Sequence, residues 1–141
     1  MPKPAPSPTS IVIPIPADCR TMAVLYVSGA ISAPTPAGVE GNVRAARAWT
    51  TYLAELGYAP ICPHTNIQDI GRLGYEDIMA VDFMLLGRCD GIFMMPGWEK
   101  SPGAVRERTF ALGWGIRVYE SVDELLASGL KRQLLPFQPR G

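Results

Sequence analysis

Two carboxylates in this sequence stand where carboxylates are costly. Glu107 lies in "SPGAVRERTFALGW" (101–114), six residues inside what reads as a helix, and shares a face with Gly103 and Ala111 and with Trp114 at its edge. Asp82 stands between Val81 and Phe83 in an apolar helical stretch, and aspartate is a poor former of helix interiors. An acid at the edge of a core is destabilising unless it is paired or used. Arg106 and Arg108 flank Glu107 but point about 100° to either side of it. Neither is an assured partner, although a half-exposed ion pair is the ordinary alternative. Two inward acids, with Tyr26 at the end of a strand, can do glycosidic chemistry. One carboxylate attacks an anomeric carbon while another group protonates the leaving base. Glu76, Asp77 and Asp90 fall at a helix start and a turn, where carboxylates need no chemical explanation.

The start of the same helix carries a second feature. Ser101 is a strong N-cap, Pro102 suits the first helical position, and Gly103 keeps the backbone accessible. Together they predict unpaired N–H groups at the positive end of a helix, a place that suits an anion such as phosphate. An ordinary capped helix is the alternative. Trp98, just upstream, reads equally as a platform for a base or sugar and as a loop anchor.

These side chains need a scaffold, and the rest of the chain supplies one. "AVLYVSGA" (23–30) reads as a buried parallel strand, and "ISAPTPAGVEG" (31–41) as a loop. Residues 42–57 form an amphipathic helix capped by Asn42, stopped at Gly57, and apolar at Val43, Ala46, Trp49, Leu53 and Leu56. "YAPICP" (58–63) is a second strand and 64–74 a polar loop. Residues 75–88 are a helix with Ile78, Val81, Met84 and Leu85 on one face. Strand 89–97, the helix holding Glu107, strand 116–121 and a short helix 122–128 closed by Gly129 complete the pattern. Met84, Phe93, Met94 and Met95 read as core, and Trp49 and Trp114 as packing.

Apolar strands alternating with helices predict an α/β, flavodoxin/Rossmann-like doubly wound parallel sheet of four or five strands, covered on both faces. Ligands bind such sheets beyond the carboxyl ends of the strands. The loops after Tyr26, Cys62 and Met95 are expected to converge there. One domain is expected over 23–129, between a proline-rich arm (1–22) and a tail (130–141).

Composition narrows the function. The 141 residues are 48% apolar and balance 13 basic against 13 acidic side chains, with no basic run. That makes no electrostatic case for a nucleic-acid polymer or a membrane surface. No apolar run approaches the roughly 20 residues of a spanning helix. Prolines 2, 4, 6, 8, 14 and 16 break any signal-peptide core and leave either an extended arm reaching a partner subunit or a free tail. Cys19, Cys62 and Cys89 are odd in number and widely spaced, which suits reduced thiols in a cytoplasm. Cys62 and the sole histidine, His64, are too few for a metal site, so no metal and no cofactor is expected.

"LYVSGAI" (25–31), the spacing of Asp82 to Asp90, and "PGWEKSPGAVRERTFA" (96–111) together resemble the nucleoside 2-deoxyribosyltransferase superfamily over about residues 23–119. Within it the resemblance points to the nucleoside 5′-monophosphate N-hydrolase branch and to phage-type uncharacterised relatives. It implies Glu107 as nucleophile on C1′ of the sugar, Tyr26 orienting that carboxylate, and Asp82 helping to protonate the leaving nitrogen. It also implies Ser101 and Gly103 at a substrate phosphate, with Gly29, Ser32 and Trp98 as further substrate- or phosphate-binding residues. Serine at 101, where the transferases commonly place aspartate, favours a phosphate dianion. The chain departs from the pattern at Arg108 and Thr109, and at Ala30 and Ser32, where the hydrolases place serine and arginine; Arg44 or Arg72 could supply that charge. The implied function is hydrolysis of a (2′-deoxy)nucleoside 5′-monophosphate in a homodimer or larger homo-oligomer. A deoxyribosyltransferase and a nucleotide-binding module without activity are the alternatives.

Overall fold

The computed structural model describes residues 21–63 and 72–134. Four parallel strands, β1 (Val24–Ser28), β2 (Ala59–Ile61), β3 (Gly91–Met94) and β4 (Arg117–Tyr119), lie in the order β2-β1-β3-β4. The helices are α1 (Pro36–Glu55), α2 (Tyr75–Leu86), α3 (Pro102–Gly113) and α4 (Val122–Ala127), with a 3₁₀ turn over Trp98–Lys100 before α3. The sheet is doubly wound, because two apolar clusters lie on its opposite faces. Leu25, Val27 and Phe93 meet Ala46 and Leu53 of α1 and Leu125 of α4. Tyr26, Ile92 and Met94 meet Leu86 of α2 and Ala104 and Ala111 of α3. Alternation along β1 therefore sends Tyr26 and Ser28 to the α2/α3 side.

Three local expectations are corrected. Helix α1 begins at Pro36, not at residue 42, because Thr35 Oγ1 accepts from Gly38 N–H at 3.1 Å and Pro36 takes the first helical position. Asn42 is therefore inside the helix, where its Nδ2 donates to the carbonyls of Ile31 and Ser32 and ties down the preceding loop. In α2 the buried residues are Met79, Asp82 and Leu86, whereas Val81 and Met84 are exposed, Met84 at 56%. Trp114 likewise lies outside the core at 69% exposure, stacked on Phe110.

Residues 130–134 fold back on the domain. Lys131 O accepts from Ala23 N–H, Gln133 N–H donates to Gly57 O, and Arg132 donates to Leu56 O. Gly57 has φ +101°, and a Cβ there would meet the Gln133 backbone at 2.9 Å, so glycine is required. The expected arm lies outside the described residues except for Thr21 and Met22, as do Cys19 and His64.

Candidate active site

Helices α2 and α3 each put an acid at the centre of a buried stripe. In α3 the stripe is Ala104, Glu107, Ala111; in α2 it is Met79, Asp82, Leu86. Both follow the i, i+3, i+7 spacing of one helical face. The alanines on either side of Glu107 let α3 approach the sheet closely, and the longer glutamate then reaches β1. There Tyr26 Oη donates to Glu107 Oε2, and Ser28 Oγ donates to Oε1 at 2.7 Å. Glu107 is 5% exposed, while Tyr26 and Ser28 are fully buried.

The flanking arginines are engaged elsewhere. Arg106 makes a two-pronged bond to Glu76, and Arg108 pairs with Glu120 at 3.0 Å. Glu107 is thus held by hydroxyl donors rather than by an ion pair. Its surroundings set its proton affinity: burial pushes its pKa up to about 7, the two hydroxyl donors pull the other way, and the nearby Asp82 charge adds to the rise. Burial also lifts Asp82 to about 6. Asp82 is 5% exposed, and its Oδ1 has no hydrogen-bond partner among the described residues. Burial, and then the charges of Glu107 and Asp82, push the Tyr26 phenol far above its ordinary range, so it remains a donor throughout.

Sequence reading anticipated Glu107, Asp82 and Tyr26, and these three come together. It missed Ser28, whose signal was available: a lone hydroxyl two residues after Tyr26, on the same face of an apolar strand. Ser101 is the N-cap of α3, with Oγ accepting from Ala104 N–H at 3.2 Å. Pro102 carries no N–H and the Ala104 N–H is taken by the cap, so fewer donors are open at this helix start than expected. The donors it retains are the Gly103 N–H and the Ser101 hydroxyl proton.

Gly29 is buried where a Cβ would come within 3.0 Å of Met95 Cβ, which gives it a packing role. Ser32 is exposed. Trp98 packs against the α2/α3-side cluster with the Arg108 guanidinium 4.9 Å from its ring centroid. Arg44 and Arg72 are exposed. The expected contribution of the loop after Cys62 falls largely outside the described residues. A cleft of about 610 Å³ opens at the other end of the sheet, beside Val24, Asp90, Arg117 and Lys131. Its one carboxylate, Asp90, is bonded to Val24 N–H at 2.8 Å.

Residues 23–120 match the family described as "Domain of unknown function (DUF4406)". The chain belongs to the DUF4406 family. In this DUF4406 domain the matched segment contains every element that positions the acid pair. No curated protein matches the chain. Among solved structures, a 2-desoxiribosyltransferase from Leishmania mexicana is 21% identical over 82% of this chain and 83% of that one, at a TM-score of 0.46. At that score the likeness says nothing of activity. Among the described residues no helix is long and apolar enough to cross a membrane, and no group of His, Cys, Asp and Glu could hold a metal ion.

Proposed function

We propose that this chain is an N-glycosidase that hydrolyses (2′-deoxy)nucleoside 5′-monophosphates to free base and sugar 5-phosphate. The observation that carries this reading is the buried Glu107 carboxyl, its two oxygens held by Tyr26 and Ser28, with the charge of Asp82 acting on it and Asp82 Oδ1 without a hydrogen-bond partner among the described residues. A Glu107 oxygen bonds to C1′ as the C1′–N bond breaks. That electron pair goes to the base nitrogen, which takes a proton from Asp82; the reactive form of the coupled pair is the less populated one, with the proton on Asp82 and Glu107 ionised. Water then attacks C1′, the glutamyl ester bond breaks, and the water's proton returns to Asp82. The anomeric configuration is retained.

Phosphate specificity rests on the start of α3. Ser101 and Glu107 are six residues apart, about 9 Å along a helix axis. A pentose 5-phosphate bridges that distance while its C1′ lies within an attack range of about 3 Å. Self-association is part of the proposal: exposed Val81, Met84, Leu112 and Trp114 on α2 and α3 offer apolar surface for it. Sedimentation velocity of the full chain should report a dimer or larger species, and a monomer at all concentrations would remove this element.

The activity test is a chromatographic screen of nucleotides for free base. Glu107→Ala and Glu107→Gln should lose at least 10³-fold in turnover while the fold survives. Mass spectrometry of the wild type should find a trapped sugar on Glu107. Full turnover by Glu107→Ala would exclude the mechanism. Base exchange outrunning hydrolysis when a second base is present would make the enzyme a transferase, and nucleotide binding without base release would make it a binding module.

A further inference from the structure

Glu107 is gripped from both sides, and only one grip follows from the site residues the sequence pointed to. The other is Ser28 Oγ, 2.7 Å from Oε1, on a side chain with no exposed surface at the last position of β1. We propose that Ser28 is a positioning residue that fixes the orientation and charge state of the Glu107 carboxylate; the inference rests on the N-glycosidase reading. A carboxylate bonded through one oxygen can rotate about its terminal torsion, which is broad for glutamate. Bonds to both oxygens, from donors two residues apart on one strand, stop that rotation. β1 is itself held between β2 and β3, so neither donor can drift.

Among the described residues, the titratable groups facing Glu107 are Tyr26 from β1 and Asp82 from α2. β3 contributes Ile92 and Met94 to this side of the sheet, and the α3 arginines are paired outward. Tyr26 stays protonated, and Asp82 opposes ionisation of Glu107. The Ser28 hydroxyl is therefore the removable donor that favours the anion, and without it the carboxyl should hold its proton to higher pH.

The test is a ¹³C NMR titration of the Glu107 carboxyl carbon in the full chain, assigned with Glu107→Gln, in wild type and Ser28→Ala. Loss of one hydrogen bond to a charged group should raise the midpoint by about 1 to 2 pH units. The acidic limb of the base-release profile should move up with it, and Ser28→Thr should restore both. If Ser28→Ala does not fold, Ser28→Cys keeps the shape with a weaker donor and should give a smaller upward shift. An unmoved midpoint, or lower turnover with an unmoved acidic limb, overturns the inference. If the wild type releases no base at all, the proposed activity fails separately, and the titration still decides whether Ser28 controls this carboxyl.

Discussion

Glu107 is destabilised by its position and held there by two hydroxyl groups. An acid that ionises near pH 4.5 in an unfolded chain and near 7 when folded leaves the native state holding the extra proton between those values. Its contribution to stability is therefore complete below about pH 4.5 and is lost as pH rises through 7. The shift corresponds to about 3 kcal/mol between the two limits. Asp82, also raised, acts in the same direction. Glu107→Gln should remove roughly half of this combined slope, so that urea melts show the variant gaining on the wild type at pH 8 relative to pH 4. Equal slopes would mean that the carboxyl is not held as described. Asp82 and Glu107 were legible because acids are conspicuous in apolar helices. Ser28 was less so, because a serine is tolerated almost anywhere and only its partner gives it meaning.

Among the elements, α3 links the proposed phosphate end at Ser101 to Glu107. Ser101 closes the first turn through Ala104 N–H, and in the proposed function its hydroxyl proton meets the phosphate. Ser101→Ala should cost about 1 kcal/mol of stability through the lost cap. It should also raise KM for a monophosphate roughly tenfold, as expected for one lost charge-assisted bond, while leaving the free nucleoside unaffected. An equal effect on both substrates would place the phosphate elsewhere. Helix α2 shows where pattern reading fails. Its most apolar face by composition includes Val81 and Met84, yet Met79, Asp82 and Leu86 are buried. A helix apolar on several sides carries little periodic signal, and contact with α3 selected the face that carries the acid.

For the whole molecule, the parallel sheet places β1 between β2 and β3, with the ends of β1 and β3 side by side through the Ser28–Met94 pairing. That order lets α3, which follows β3, deliver its carboxylate to β1 across 79 residues of sequence from Ser28. Closure at the opposite end comes from residues 130–134. Truncation after Gly129 removes the bonds from Lys131, Arg132 and Gln133 to Ala23, Leu56 and Gly57, along with Leu130 from the core. Calorimetry should show Tm lower by on the order of 10 °C. Truncation after Leu134 should keep nearly the full Tm, and equal loss from both would assign the effect to the last seven residues instead.

Strand composition and its alternation with helices were enough to specify a covered parallel sheet, because only burial on both faces makes near-continuous apolar strands stable. Local rules also placed the cap at Ser101, the stop at Gly57 and the two acids in their helices. The start of α1 at Thr35 and Pro36 was also a local signal, concealed by the proline and glycine of 31–41, whereas the inward face of α2 and the pairing of Glu107 with Ser28 rather than an arginine were settled by packing. Those outcomes depend on which surfaces meet, and contacts between residues far apart in the chain leave no periodic trace in either segment alone.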